Sequence, residues 1–420
     1  MLATRTSTAR SVQRLARSFA TATDSAGVKV AAVDNNQPTA SVTVLVKAGT
    51  RFQPKVGVAN ALKNFAFKST SKRTTIGTVR ESELYGGVLS SSLGREHLAL
   101  TAEFLPADAP FFVDLLTSYV TSAKFTRHEF EEYVTPLVHA ETEAAIQDPA
   151  TRAINAAHAL AFRSGLGQPL FASEHSSVSV EDVKAFASQA FSKGNVAVVG
   201  TGIDQATLAS LVEKGFASAA ASSPLSSPAT QYFGGETRID AHGAQTVFIG
   251  FGSAGAPSSE LSALAAHLST NSSVKWSQGL SPLASIPGVQ TVYLPYSDAS
   301  LFGLLVQGPT AAAVKESAKA AVAALKSASQ NIQADSLQAA IAKAKFSAAS
   351  AVETREGLVA AIGPKANIFS TDLKHKLNVF YKKVDAAGLS KAASSLFAAK
   401  PTYVVVGDAA ALPYADELGL

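Results

Sequence analysis

Residues 57–70 read GVANALKNFAFKST. On a helix, Val58, Ala61, Leu62 and Phe65 fall at i, i+3, i+4 and i+7 and form one apolar stripe. Asn60, Lys63 and Asn64 fall together on the other side, one turn apart. Three polar residues at that spacing share a face, which is how a helix presents ligands to a metal. These three are the wrong donors for one. The stretch is either a solvated helix face or a metal site whose ligands have been replaced.

The surroundings of this helix occur twice. Ala40–Gly49, ASVTVLVKAG, reads as the strand before it. In the second half Ala244–Gly252, AQTVFIGFG, reads as a strand, followed by SSELSALAAHLS at 258–269 as a helix. HLALTAEFLP at 97–106 matches SLFGLLVQGP at 300–309, an offset of 203. NVAVVG, ending at Gly200, matches YVVVG, ending at Gly407, an offset of 207. Between these strands, helical periodicity runs through 108–163 and through the Ala-rich 311–361, where alanine and lysine favour helix. Each half reads strand, helix, strands, a long helical tract and a closing strand. The expected fold is α+β: two homologous halves, each a mainly antiparallel sheet packed with a layer of helices. The expected domains are 23–216 and 236–420, with ASAAASSPLSSPATQYFGG at 217–235 as linker by composition.

Residues 1–22 form a different segment. The first 23 residues carry Arg5, Arg10, Arg14 and Arg17 and no acid, with Leu15 and Phe19 between Ser and Thr. That is the composition of a mitochondrial presequence, with a cleavage point expected near Ala20 or Thr21. Without those four arginines, the remaining Lys and Arg equal the 32 Asp and Glu. The formal charge of +4 therefore describes the leader, and no basic body is left to bind nucleic acid. Only 16% of the chain is charged, against about 25% on average, so partners are expected to cover part of the surface. No apolar run reaches the roughly 20 residues of a membrane span. Cysteine is absent, which excludes disulfides, thiolate metal sites and iron–sulfur ligation.

Two half-chains of this layout, a presequence and a ligand-like helix after the first strand resemble the pitrilysin-like (M16) metallopeptidases. The resemblance is to the branch holding the mitochondrial processing peptidase and the core subunits of complex III. Active members carry His-x-x-Glu-His on this helix, flanked by residues like Gly57, Phe65, Phe67, Lys68 and Thr70. Here Asn60 stands at the first histidine, Lys63 at the glutamate and Asn64 at the second histidine. Zinc takes imidazole, thiolate or carboxylate, and a neutral amide oxygen is a poor substitute. A protonated lysine cannot take a proton from metal-bound water as the glutamate would, and it repels a dication. The resemblance puts the third ligand within HAETE, 139–143, at Glu141 or Glu143, and one carboxylate does not hold the metal alone. In the second half only His267 lies on the equivalent helix. The expectation is a catalytically inactive member with no metal, cofactor or catalytic residue.

The other candidates are weaker. His139 and Glu143 read as an exposed i, i+4 pair, and His158 as lying on a helix flank. GFGSAGAPSS at 250–259 has phosphate-loop glycine spacing, but no lysine follows. Within the family, HLSTNSSVKWSQGLSPLAS at 267–285 has one glycine where the non-catalytic (alpha-type) processing-peptidase subunit has a glycine-rich loop that handles presequences. PYSDASLFGLLVQ at 295–307 and DPATRAINAAHALAFRSGLGQPLF at 148–171 look instead like the second of the two core-subunit branches. That resemblance implies a scaffold on the matrix side of the mitochondrial inner membrane. Its implied partners are core protein 1, cytochrome b, cytochrome c1, the Rieske protein and the small subunits, in a complex III dimer and its supercomplexes. The alternative is a presequence-binding subunit of the processing peptidase.

Overall fold

A computed structural model describes residues 21–25, 27–34, 37–173, 175–220, 224–272, 279, 281–330, 332–354, 357 and 384–420. Residues 1–20 of the leader, the cleavage point before Thr21, His375, part of 267–285 and the end of the tract 311–361 lie outside the described residues.

The first sheet has six strands: β1 (Thr21–Ser25), β2 (Val28–Val33), β3 (Ala40–Val46), β4 (Val88–Leu93), β5 (Leu98–Phe104) and β6 (Val196–Thr201). Their order is β1-β2-β6-β3-β5-β4, all antiparallel except the β2–β6 pair. The second has five: β7 (Gly235–Asp240), β8 (Gln245–Ala254), β9 (Val289–Pro295), β10 (Ala299–Gly308) and β11 (Thr402–Gly407). Their order, β7-β11-β8-β10-β9, repeats the first without its outer strand, and again one pair, β7–β11, is parallel. This is the expected α+β plan, two similar sheets each with its helices.

The helices are α1 (Val58–Asn64), α2 (Thr75–Leu84), α3 (Ala109–Ser122), α4 (Thr135–Gln147), α5 (Pro149–Phe162), α6 (Val180–Ala190), α7 (Gln205–Gly215), α8 (Ser259–Leu268), α9 (Ala311–Gln330), α10 (Ala334–Ala351) and α11 (Ala386–Ala398). A π-helical turn, Phe130–Val134, leads into α4. In the first sheet Leu98, Leu100, Ala102 and Phe104 are buried, and the Phe104 ring stacks on Phe112 of α3 at 4.7 Å. In the second, Phe302, Leu304 and Val306 share a core with Leu261 and Leu264 of α8, Val314 and Leu325 of α9 and Leu389 of α11. Leu301 and Leu305 point to the other face. The expected offset of 203 between β5 and β10 is odd, so it matches helix-facing residues with residues of the opposite face. An even offset is required, because side chains alternate along a strand.

The compact units differ from the sequence halves. One holds residues up to 137 and 177–226; the other holds 138–176, 227–351 and the C-terminal residues. Helix α5, from the first half of the sequence, belongs to the second sheet. Ala153, Ala157 and Ala161, at i, i+4 and i+8, are fully buried with Phe248, Leu301, Leu305, Val404 and Val406. Alanine at each contact lets the helix lie close on the sheet. The stretch 217–235 has linker composition but is fastened. Leu225 N–H donates to Asn195 Oδ1 at 2.8 Å, Thr230 Oγ1 donates to Asp298 at 3.0 Å, and Tyr232 Oη donates to the Lys400 carbonyl at 2.6 Å. Thr21 and Ala22, grouped with the leader by composition, pair with Ala32 and Ala31 in β1–β2.

Candidate functional site

Helix α1 begins at Gly57, whose φ of 93° is left-handed backbone that glycine adopts without strain. Gln53 Oε1 accepts from Ala59 N–H at 3.3 Å, satisfying a donor that no capping side chain reaches. Val58, Ala61, Leu62 and Phe65 are buried, as the apolar stripe requires. The polar side is buried too. Asn60 is 2% exposed and Asn64 9%, so this is no solvated face. Asn64 Nδ2 donates to Asn60 Oδ1 at 3.0 Å and to the Asn60 carbonyl at 3.2 Å. The two neutral amides of the polar face thus close on each other. Each bond offsets part of the cost of burying a neutral amide. Lys63 is half-buried, and its backbone carbonyl accepts from Ser91 Oγ of β4 at 3.3 Å.

The remaining candidates are spread over other elements. Glu141 is half-buried and Glu143 exposed on α4, in the part that belongs to the second unit. Gln147 Nε2 donates to Glu143 at 3.1 Å. His139 is exposed beside it, as expected of a surface helix pair. His267 is half-buried on α8, where burial and the Lys343 charge both lower its pKa. Among the described residues no three His, Cys, Asp or Glu side chains converge as a metal cluster.

One expectation needs correction. His158 does not lie on an exposed flank; it is 1% exposed on α5. Its Nδ1 lies 2.7 Å from the Ile154 carbonyl, which can only accept, so Nδ1 carries the proton. In the neutral ring Nε2 then accepts from Tyr296 Oη, also at 2.7 Å. The residue joins α5 to the turn after β9. The glycines of GFGSAG form no phosphate nest. Gly250 and Gly252 are paired within the β8–β10 ladder opposite Gly303 and Leu301. A Cβ on Gly252 would meet the Tyr232 ring at 2.2 Å, so this glycine answers to packing.

Glu129 is the residue that the spacing on α1 did not point to. It is buried where the loop after α1 meets α2 and the π turn. Its carboxylate accepts from Ser69 N–H at 3.0 Å, Thr126 Oγ1 at 2.8 Å and Thr75 Oγ1. Burial pushes the carboxyl up, but the hydrogen bonds from Ser69, Thr75 and Thr126 outweigh it and hold the pKa below the usual range. The carboxylate thereby anchors a strained loop in which Phe67 has φ 61°. Thr126-x-x-Glu129 is a capping-box spacing, which announces a helix start and not this second duty.

The model of the insulinase family (peptidase family M16) matches residues 29–174, which include α1. The chain is 43% identical to the mitochondrial cytochrome b-c1 complex subunit 2 of Cryptococcus neoformans var. grubii, over 98% of this chain and 97% of that one. The chain belongs to the cytochrome b-c1 complex subunit 2 family. The subunit of the same name from Yarrowia lipolytica is 38% identical over 97% of this chain and 99% of its own. That of Neurospora crassa is 40% identical over 94% and 90%. The similarity to this family runs through both sheets, well beyond the matched M16 segment. It therefore covers α1 and its counterpart α8 alike.

Proposed function

We propose that this chain is the non-catalytic second core subunit of mitochondrial ubiquinol–cytochrome c reductase. It is a structural member of the complex that passes electrons from ubiquinol to cytochrome c. The observation that carries the reading is near-full-length similarity to subunits of that name. The buried Asn60–Asn64 amide pair supports the absence of peptidase chemistry, since it offers zinc neither imidazole nor a base. Its partners are other subunits of the complex: core protein 1 as the homologous partner, with cytochrome b, cytochrome c1, the Rieske protein and the small subunits in the dimer. The place is the matrix face of the mitochondrial inner membrane, reached with residues 1–22 as presequence. In keeping with a peripheral subunit, no helix among the described residues is long and apolar enough to cross a membrane. The halves 23–216 and 236–420 are copies of one M16-like unit, which the repeated strand order supports. The alternative, a presequence-binding processing-peptidase subunit, has less behind it, because the relatives bear the other name and 267–285 has one glycine.

The test is deletion of the gene, followed by native gel mobility of the complex and quinol-dependent reduction of cytochrome c. The expected result is loss of both, restored by re-expression. A deletion strain with a full-size, active complex overturns the scaffold reading.

A further inference from the structure

The plan of the half-fold does not require β1. Among the described residues the second sheet stops at β7, which lies parallel to the closing strand β11 with no strand outside it. The first sheet goes one strand further. There β2 holds the place of β7, parallel to β6, and β1 is added at its outer edge. Gly202 N–H donates to the Val33 carbonyl at 2.9 Å, so Val33 turns its backbone groups to the β6 side. Backbone groups alternate along a strand, so Val30 and Ala32 turn theirs outward, toward β1. The register sets Thr23 opposite Val30 and Thr21 opposite Ala32.

A side chain reaches the same two groups. Gln205, half-buried at the start of α7, accepts from Ala32 N–H at its Oε1 and donates from Nε2 to the Val30 carbonyl at 3.2 Å. Asp204 fixes the start of that helix, its Oδ2 accepting from Thr207 N–H at 3.0 Å. A carboxamide carries a carbonyl and N–H donors, the pair that a neighbouring strand would offer. β1 is fastened at its other end, where Ser25 Oγ donates to the Ala209 carbonyl at 3.1 Å. There Asp24 Oδ1 also accepts from Gly27 N–H at 2.9 Å, and Gly27 turns the chain with φ 82°. We infer that β1 is a detachable arm hinged at Gly27, and that the Gln205 carboxamide takes the place of its free end against β2 while the arm is away. Cutting the chain before Thr21 needs such a state, because peptidases cleave the locally opened chain. That use rests on the presequence reading above, which N-terminal sequencing of the mitochondrial protein tests separately; the device does not.

The test is hydrogen exchange of the purified full-length chain, read at the amides of β1, Ala32 and β6. Thr23→Pro takes a donor out of β1 and should make its amides exchange about tenfold faster or more. Ala32 and β6 should change by less than about tenfold in that variant, because Gln205 still closes the edge. Gln205→Ala alone should also leave Ala32 within that limit, because β1 then covers it. The double variant should exchange Ala32 about tenfold faster or more than either single one. Protection of β1 that survives Thr23→Pro, or release of β6 by it, shows that the arm does not detach and overturns the inference. Release of Ala32 by either single substitution, or its continued protection in the double variant, overturns it as well.

Discussion

Helices α1 and α8 hold the same place in their two sheets, each following the strand that lies between the closing strand and the hairpin. They are filled differently. α8 is capped by Ser258, whose Oγ accepts from Leu261 N–H at 3.1 Å, and it buries Leu261, Ala263, Leu264 and Leu268. α1 has no side-chain cap and buries Asn60 and Asn64 among its apolar residues. The second half shows that leucine and alanine suffice at this position. The first half keeps Asn60 and Asn64, which we read as replaced ligands, and Asn64 Nδ2 donates to Asn60 Oδ1. On our reading of α1 as a replaced metal site, the replacement is polar, and that bond lowers the cost of burying both side chains.

That comparison breaks most readily at the shared leucines. Leu62→Ala in α1 and Leu264→Ala in α8, both fully buried, should each cost about 2–5 kcal/mol in urea unfolding of the full chain. A loss well under this range at one site would mean that the two helices are not equivalent in packing. Next comes the loop after α1. Glu129→Gln should cost roughly 1–3 kcal/mol, because hydrogen bonds to a charged carboxylate are the stronger kind. Since the folded pKa of Glu129 is depressed, its contribution is complete above the ordinary carboxylate range and is lost as pH falls through the folded value. The variant should flatten that acid limb, and an unchanged acid limb would show that the carboxylate is not what holds the loop.

Asn64→Ala should cost on the order of 1–2 kcal/mol, against less than about 1 kcal/mol for the half-buried His267→Ala on α8. Equal losses would remove the special standing given to the amide pair. Smallest of all is Lys63→Ala, which should leave quinol-dependent turnover and the zinc content of the purified complex unchanged. Halved turnover in a normally assembled complex would show that the degenerate site still takes part in function.

The repeat was legible because alternating strands carry their own signal. Ala40–Gly49 and NVAVVG, ending at Gly200, were read as strands, and the strands run Ala40–Val46 and Val196–Thr201. Whether the polar triple on α1 was wet or dry was not legible, since burial depends on what α1 meets in the fold. The same limit explains His158, whose surroundings come from Tyr296, 138 residues away. It explains β10 as well, where a run of Leu, Phe and Val looks alike on both faces and hides its register. The destination of α5 was hidden for a plainer reason: nothing in 149–162 says which of two similar sheets it will meet.

That destination has a temporal consequence. Residues 149–162 leave the ribosome, and would enter a compartment, well before β8 and β10 exist to receive them. Until residue 308 has followed, the alanine and phenylalanine face of α5 stays uncovered, and the closing strand β11 arrives later still, at Thr402. The second sheet cannot be completed until nearly the whole polypeptide is present, and pairing between residues so far apart in sequence is the kind that slows folding in general. A chain cut short anywhere before β11 would be a client for chaperones and proteases, and not a smaller working subunit.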